Sequence, residues 1–466
     1  MSGTQQPPVS EETSNNTAKP AISNGRMALL FTVMLVTAAG NTAMHSVMPS
    51  IGTALKVDDV WISLAYSWSA LLWVVCAPIW ARRSDKRGRK AMMALGLVGF
   101  VVSMALCGLV LWAGLAGWMT ALWALLAFAA ARSLYGGFGS AAPPAVQAYV
   151  ASRTPRSERT KALSLIASSF GLGTVFGPVL APLMVVSFLG IGLTGPFIGF
   201  ALVGLAALVL LRLRLPNDEP QFAARGRTYG APYADGSHSD DPKHHSADGE
   251  DSGEEVEDET ASASTSVERL RWTDQRLRPW IMAGIVGGHA QAMIMGITGF
   301  LVLDRLNLRD TPAEGTGPVS LVLMCGALAT LLAQWGIIPR FNLGPRAATL
   351  SGIMVAAFGT AVLGGAYQIH TIALGYSIAS LGFGLFRPGT TAGTSLAVTR
   401  AEQGQASGIV ASVAGMSFVY APALGVLLYN YDDWIGFGLI IGLCFLVAAT
   451  GWRSLQADSL LTKDRA

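Results

Sequence analysis

The sequence predicts an all-α integral membrane protein, twelve transmembrane helices arranged as two pseudo-symmetric six-helix halves. Three observations predict it. The 466 residues are 52% hydrophobic and 13% charged, against about 25% charge in soluble domains, and the mean hydropathy is +0.46. Twelve apolar runs follow one another, each near the ~20 residues that a spanning helix needs. The positive charges fall almost wholly on alternate loops, the bias that fixes which loops stay on the cytoplasmic side.

Residues 1–25 are polar and read as a disordered cytoplasmic tail. The apolar run from Met27 is longer than the core of a cleaved signal. The first half, 26–213, carries runs at 27–49, 60–81, 91–112, 119–150, 162–187 and 193–213. Residues 214–278 form the one long hydrophilic stretch. Within it, 235–259 hold eleven Asp or Glu against one Lys, which predicts a flexible acidic cytoplasmic linker. His238, His244 and His245 lie among those acids and read as solvated linker residues. The second half, 279–454, carries runs at 279–302, 317–338, 347–366, 371–397, 406–428 and 434–452, followed by a cytoplasmic tail, 455–466.

With the N-terminus inside, 27 of the 32 Lys and Arg residues fall on the cytoplasmic side. Only Lys56, Arg305 and Arg309 fall in outer loops, and Arg132 and Arg387 lie inside spans. Both termini are therefore expected in the cytoplasm, with the chain in a cell inner (plasma) membrane. Trp61, Trp80, Trp112, Trp118, Trp280, Trp434 and Trp452 cluster at predicted span ends, where interfacial anchors belong. The four cysteines, Cys76, Cys107, Cys325 and Cys444, sit in separate apolar runs without metal-ligand spacing and read as packing residues.

The two halves repeat. An offset of 244 residues aligns Pro144 with Pro388, Gly171 with Gly415, Pro178 with Pro422 and Ser168 with Ser412. Equivalent halves around a central site are a construction common to secondary transporters.

Three motifs carry a family resemblance. Residues 81–90 read Ala-Arg-Arg-Ser-Asp-Lys-Arg-Gly-Arg-Lys between two spans. They resemble the G-x-L-a-D-R-x-G-R-K loop of the major facilitator superfamily, with Asp85, Gly88, Arg89 and Lys90 in register and Ala81 and Arg83 departing from it. The resemblance implies a gating latch centred on Asp85. In span 4, Arg132-Ser-Leu-Tyr135-Gly136-Gly137 is similar to the family's R-x-x-q-G pattern, whose Arg is tied to coupling in proton-driven members. In span 5, Gly173, Gly177 and Pro178 resemble the G-x-x-x-G-P signature of the drug:proton (tetracycline-efflux-like) antiporters, with Ala181 and Pro182 replacing its last two glycines. The resemblance covers nearly the whole chain outside tail and linker. It implies that spans 1, 4, 7 and 10 line a central cavity.

Intramembrane polar residues are the candidates for that cavity. A charge at a helix centre costs about 2.5–3.5 kcal/mol on insertion scales, so Arg132 and Arg387 need a reason to be there. No Asp or Glu lies near the middle of a span. Two readings stand: an anionic substrate balances the arginines, or backbone carbonyls cap each one. Asn41 and His45 of span 1, His289 and Gln291 of span 7, and Tyr135 are further candidates, with His45 or His289 able to carry a coupled proton. Trp68, Trp73, Gln334 and Tyr420 can add stacking and hydrogen bonds.

No phosphate-binding loop, zinc-protease pair, nucleophile elbow or dinucleotide fingerprint occurs. The chain is therefore read as a transporter rather than an enzyme, with no cofactor and no nucleic-acid partner. The expected partners are a small molecule, protons and the lipid bilayer, and the expected state is a monomer. The expected activity is proton-coupled efflux of a small amphipathic or anionic molecule by alternating access. Carriage of a carboxylate siderophore or organic acid, inward or outward, is the alternative. A non-transporting sensor or scaffold is a second one.

Overall fold

The computed structural model describes residues 22–154, 156–186, 191–216, 270–271, 273–399 and 402–458. The expected N-terminal tail to residue 21, the linker over 217–269 with its three histidines, and residues 459–466 lie outside the described residues, as does the side chain of Asp85.

The first half is built from α1 (Asn24–Ala54), α2 (Asp59–Arg87), α3 (Arg89–Leu115), α4 (Ala121–Gly137), α5 (Ala142–Arg153), α6 (Arg156–Leu180) and α7 (Gly195–Arg214). The second is built from α8 (Arg278–Arg305), α9 (Pro312–Leu331), a short α10 (Ile338–Arg340), α11 (Pro345–Gly364), α12 (Ile369–Leu396), α13 (Gln403–Tyr431) and α14 (Asp433–Ser454). Among the described residues, eleven stretches are long and apolar enough to cross a bilayer; the apolar part of α6, Leu165–Leu180, is shorter and stands where the remaining expected span lies.

Two spans depart from expectation because of proline. Pro143 and Pro144 cannot donate to the carbonyls of residues 139 and 140, so the fourth span breaks into α4, a 3₁₀ turn at Gly139–Ala141 and α5. The fifth span ends at Leu180 rather than 187, because Pro182 cannot continue the ladder, and a 3₁₀ turn Pro182–Met184 follows. One expected interfacial anchor is also displaced. Trp280 is 1% exposed and packs against Gly393 of α12, while Trp61, Trp118, Trp434 and Trp452 are exposed as anchors should be. All four cysteines are free.

Small residues bring the helices together. α11 and α12 meet along Gly352, Ala356 and Gly359 on one side and Gly375, Ala379 and Gly382 on the other. A Cβ on Gly382 would lie 2.6 Å from the Gly352 carbonyl oxygen and 2.7 Å from Ala356 Cα, so the backbones themselves are in contact. The pairs α1–α6 and α8–α13 are the corresponding contacts of the two halves.

The halves touch through α1 with α8 and α9, α2 with α13, and α6 with α9. One apolar cluster continues across the junction, with Val47, Met48 and Ile51 of α1 joined to Ile297 and Phe300 of α8 and Val319 of α9. The basic hairpin marks one end of the molecule. Gly88 separates α2 from α3 there with φ +88°, a conformation that strains any residue with a Cβ. At the far end, Pro49 packs on Gly299, and Arg309 reaches from one half to the other.

Gly382→Val forces backbone apart at the α11–α12 contact, an overpacking that costs about 1–3 kcal/mol. Its unfolding temperature in detergent is expected to fall by several degrees relative to Gly442→Val, at a position with open space. Equal stability of the two variants contradicts the packing account.

At the hairpin end, Arg276 pairs with Asp274 and Glu402, each at 2.9 Å, tying the start of α8 to the turn before α13. Hydrogen bonds from Arg276 hold both carboxyls below their ordinary range. Lowered folded-state values mean that this stability is complete above the free carboxylate pKa of about 4 and is lost as pH falls through the lowered values. Arg276→Ala is expected to lower the unfolding temperature slightly at neutral pH, since exposed pairs contribute less than about 1 kcal/mol. The difference from wild type should shrink toward zero in acid. An offset that persists unchanged in acid rules out the ion-pair origin.

Candidate functional site

A cavity of about 320 Å³ lies between the halves, within the common range for small-molecule sites. Its two walls differ. The first half supplies Asn41 and His45 from α1, Ser63, Tyr66, Ser69 and Trp73 from α2, and Arg132 and Tyr135 from α4. The second half supplies Met295, Gly296, Gly299 and Phe300 from α8, Leu323 from α9, and Phe418 and Pro422 from α13. The polar side chains of the lining all come from the first half, where Met48, Ile62 and Phe170 lie among them, and the second half's side chains are apolar. Among the described residues, the lining contains a single arginine and no carboxylate.

Arg132 is 3% exposed and organises the polar wall. One terminal nitrogen donates to the Asn41 side-chain oxygen. Its guanidinium carbon lies 4.3 Å from the centre of the Tyr135 ring, a cation–π contact. Nε and the other terminal nitrogen are buried without a hydrogen-bond partner. Buried N–H groups are almost always paired, so these donors await an acceptor. The sequence places the arginine there through close α2–α4 packing. Gly136 lets α2 approach, since a Cβ would meet Ser69 Oγ and Leu72 Cβ at 3.0 Å, and Ser69 Oγ donates to the Arg132 carbonyl at 3.3 Å.

Aromatic rings fix the rest of the wall. The His45 ring stacks on Tyr66 at 4.7 Å and 23°. The Tyr66 hydroxyl donates to the Met44 carbonyl at 3.2 Å. Trp73 leans on Tyr135 at 5.2 Å. Pro49, one turn beyond His45, has no N–H for the His45 carbonyl, which leaves an additional acceptor in the α1 backbone beside the cavity.

Asn41, His45, Arg132, Tyr135 and Trp73 are thus gathered in one place, and other sequence candidates lie elsewhere. Arg387 is exposed on α12 outside the cavity lining, and its carbonyl accepts from Thr390 and Thr391 at 3.0 and 2.9 Å. His289 sits off the lining, with Nδ1 2.7 Å from the Ile285 carbonyl and its ring 5.0 Å from Tyr420. Gln291 and Gln334 are half-buried outside the lining. Trp68 donates to Ser133 Oγ at 2.7 Å. Ser63, Tyr66, Ser69, Phe170, Phe300 and Phe418 join the cavity without any sequence signal that separates them from ordinary span residues.

The motif residues brace the first half. Arg89 donates to Ser152 Oγ at the end of α5, and Lys90 donates at 3.0 Å to the Arg212 carbonyl near the end of α7, where a cation suits the helix terminus. Gly173 and Gly177 face α1. A Cβ on Gly173 would come within 2.8 Å of the Leu35 carbonyl oxygen, and Thr42 Oγ1 donates to the Gly173 carbonyl at 3.1 Å. The glycines therefore hold α6 against the helix that carries Asn41 and His45.

Comparison with known proteins agrees with the fold. The sequence profile of the Major Facilitator Superfamily matches residues 30–366. A probable actinorhodin transporter of Streptomyces coelicolor is 28% identical over 191 residues, 40% of this chain and 30% of that one. A multi-drug resistance efflux pump PmrA homolog of Lactococcus lactis is 31% identical over 163 residues, 35% of this chain and 36% of that one. The multidrug resistance protein MdtG of Dickeya zeae is 30% identical over 122 residues, 26% and 27% of the two chains. The chain thus spans only about a third of the length of these relatives. Among solved structures, the inward-open xylose transporter XylE of E. coli superposes with a TM-score of 0.64 at 12% identity, covering 93% of this chain and 96% of that one. The human organic anion transporter MFSD10 gives 0.57 at 16%, covering 92% and 100%. Paired halves of apolar helices around a central cavity, together with a profile match over most of the chain, place this protein in the major facilitator superfamily.

Proposed function

We propose that this small-molecule transporter is a proton-coupled exporter that works by alternating access, with the 81–90 hairpin on the cytoplasmic side of a cell inner membrane. Its cargo is a small amphipathic molecule with an acceptor-rich or anionic head. The observation that carries this reading is the buried guanidinium of Arg132, with two unpaired N–H positions in a cavity that has no carboxylate. A cargo head that accepts from Arg132 satisfies those donors, and its apolar body lies against Phe300, Phe418 and Met295. The relatives named as multidrug efflux proteins and the α6 glycine motif support the outward direction.

His45 is the proton carrier in this reading, because it lines the cavity beside Arg132 and His289 does not. Neutral His45 accepts a hydrogen bond from a cargo hydroxyl. Protonated, it has only donors. A proton on His45 then removes that hydrogen bond, and competition of this kind between proton and cargo is what antiport requires. Carriage of a simple carboxylate is the second reading, favoured by the same acid-free lining. There a proton on His45 adds attraction for the anion, and the two travel together.

The sign of the pH effect separates them. Fluorescent hydroxynaphthoate is expected to bind the purified protein more weakly as pH falls and His45 takes up a proton, and His45→Gln should flatten that dependence. Tighter binding in acid establishes co-transport instead. In proteoliposomes with an imposed pH gradient, Arg132→Gln should slow hydroxynaphthoate transport at least about tenfold, the loss of one charge-assisted contact worth roughly 1.5–3 kcal/mol. Unchanged transport removes Arg132 from the mechanism.

A further inference from the structure

Two arginines four residues apart behave differently at the far end. Arg305, in the last turn of α8, has all its partners in its own half: Asp433 of α14 at 2.7 Å, the Gly364 carbonyl of α11 at 3.3 Å and the Tyr367 ring at 3.9 Å. Arg309, in the turn between α8 and α9, crosses to the other half. Its Nε and one terminal nitrogen donate to Asp304 at 2.6 and 3.0 Å. Its terminal nitrogens donate to both oxygens of Asp59, at 2.8 Å each, and to Thr53 Oγ1 at 3.2 Å. These five hydrogen bonds match the five N–H donors of a guanidinium.

The surroundings favour a tight clamp. Asp59 is the first residue of α2 and 7% exposed, so the helix N-terminus also favours its charge. The Tyr429 hydroxyl of α13 donates to Asp304 at 2.9 Å and fixes that carboxylate. Burial opposes the Arg309 charge, but its hydrogen bonds to Asp59 and Asp304 more than offset that and hold the guanidinium above its ordinary range. The two loops involved have the same local form. Lys56 and Asn307 follow α1 and α8 with φ +55° and +54°. The residues beyond them have diverged in charge: Asp58-Asp59 in one loop, Arg309-Asp310 in the other. The equivalent turns face each other across the junction, with Asp59 of one paired to Arg309 of the other.

Beneath the clamp, Pro49 sits on Gly299, and Ser50 lies fully buried near Gly315 of α9. Any movement that opens this end must separate Arg309 and Asp304 from Asp59 and Thr53.

We propose that Arg309, Asp59 and Asp304 form the gate at the end opposite the basic hairpin, and that the Arg309–Asp59 pair sets the balance between closed and open states of that end. Arg305 is a brace within one half. The proposal rests on the alternating-access reading but not on the cargo, the proton or the direction of transport.

The test is a single cysteine at Ser50 in a chain whose four native cysteines are replaced, labelled with a membrane-impermeant maleimide from the side opposite the hairpin. Labelling should be slow in that parent and about tenfold faster after Arg309→Gln or Asp59→Asn, a shift that a population change of about 1.4 kcal/mol produces. Arg309→Lys should lie between. The double variant should label no faster than either single one, because both remove the same pair. Arg305→Gln should lower the unfolding temperature and leave labelling slow. The gate is refuted if monodisperse Arg309→Gln and Asp59→Asn proteins both label within twofold of the parent. Arg305→Gln labelling as fast as Arg309→Gln refutes it too, since general loosening then explains both. None of these readings depends on transport, so an inactive cargo or a failed pH test leaves the gate result standing.

Discussion

A guanidinium buried at mid-span must be answered by something. In this protein the answer within the described residues is partial: one hydrogen bond to Asn41, one aromatic face, and two donor positions left over. The rest of the site follows from that unmet demand. α1 has to stay close to α4 so that Asn41 reaches the arginine, and Gly173 and Gly177 of α6 hold α1 in place from behind. α2 has to approach α4, and Gly136 permits it. The second half contributes no charge to the lining, so it is free to move against the polar wall without breaking an ion pair inside the bilayer. Among the described residues, the ion pair that crosses the junction lies at the far end, where water can solvate it once the halves part.

This division of labour gives the two halves different parts. In the proposed function, recognition by hydrogen bond and charge belongs to the first half. The second half offers Met295, Phe300, Leu323 and Phe418, surfaces that accept an apolar body without fixing its orientation. A site of this kind selects firmly for the head of a ligand and loosely for its body, the pattern expected of a carrier with varied amphipathic cargo.

The fold was largely legible in the sequence, because membrane spans are written in length and hydropathy and the loops in charge. Eleven of the spans with a shorter apolar helix in the remaining place, the mid-helix Pro178 and Pro422 of the internal repeat, and the free cysteines all appear. Local backbone chemistry was harder to read. Pro143-Pro144 breaks the fourth span, and Pro182 shortens the fifth, at points that hydropathy alone does not resolve. The site was half legible. Arg132, Asn41, His45 and Tyr135 stand out as polar groups in apolar runs, and they do converge. Arg387 and His289 stand out equally and face elsewhere, because helix rotation is set by tertiary contacts. The clamp at Arg309 was invisible for another reason. Charges in loops are ordinary, and only the approach of two loops 250 residues apart gives these a common purpose.

The central claim is that Arg132 makes the cavity a site for acceptor-rich or anionic heads. A matched ligand series tests it most directly: titration of the purified protein with hydroxynaphthoate, its methyl ester and the corresponding aminomethyl compound at one pH. The account predicts that the acid binds at least about tenfold tighter than the ester, roughly 1.4 kcal/mol, that the amine binds weakest, and that Arg132→Gln erases the difference between acid and ester. An amine that binds as tightly as the acid, or an acid preference that survives Arg132→Gln, contradicts it.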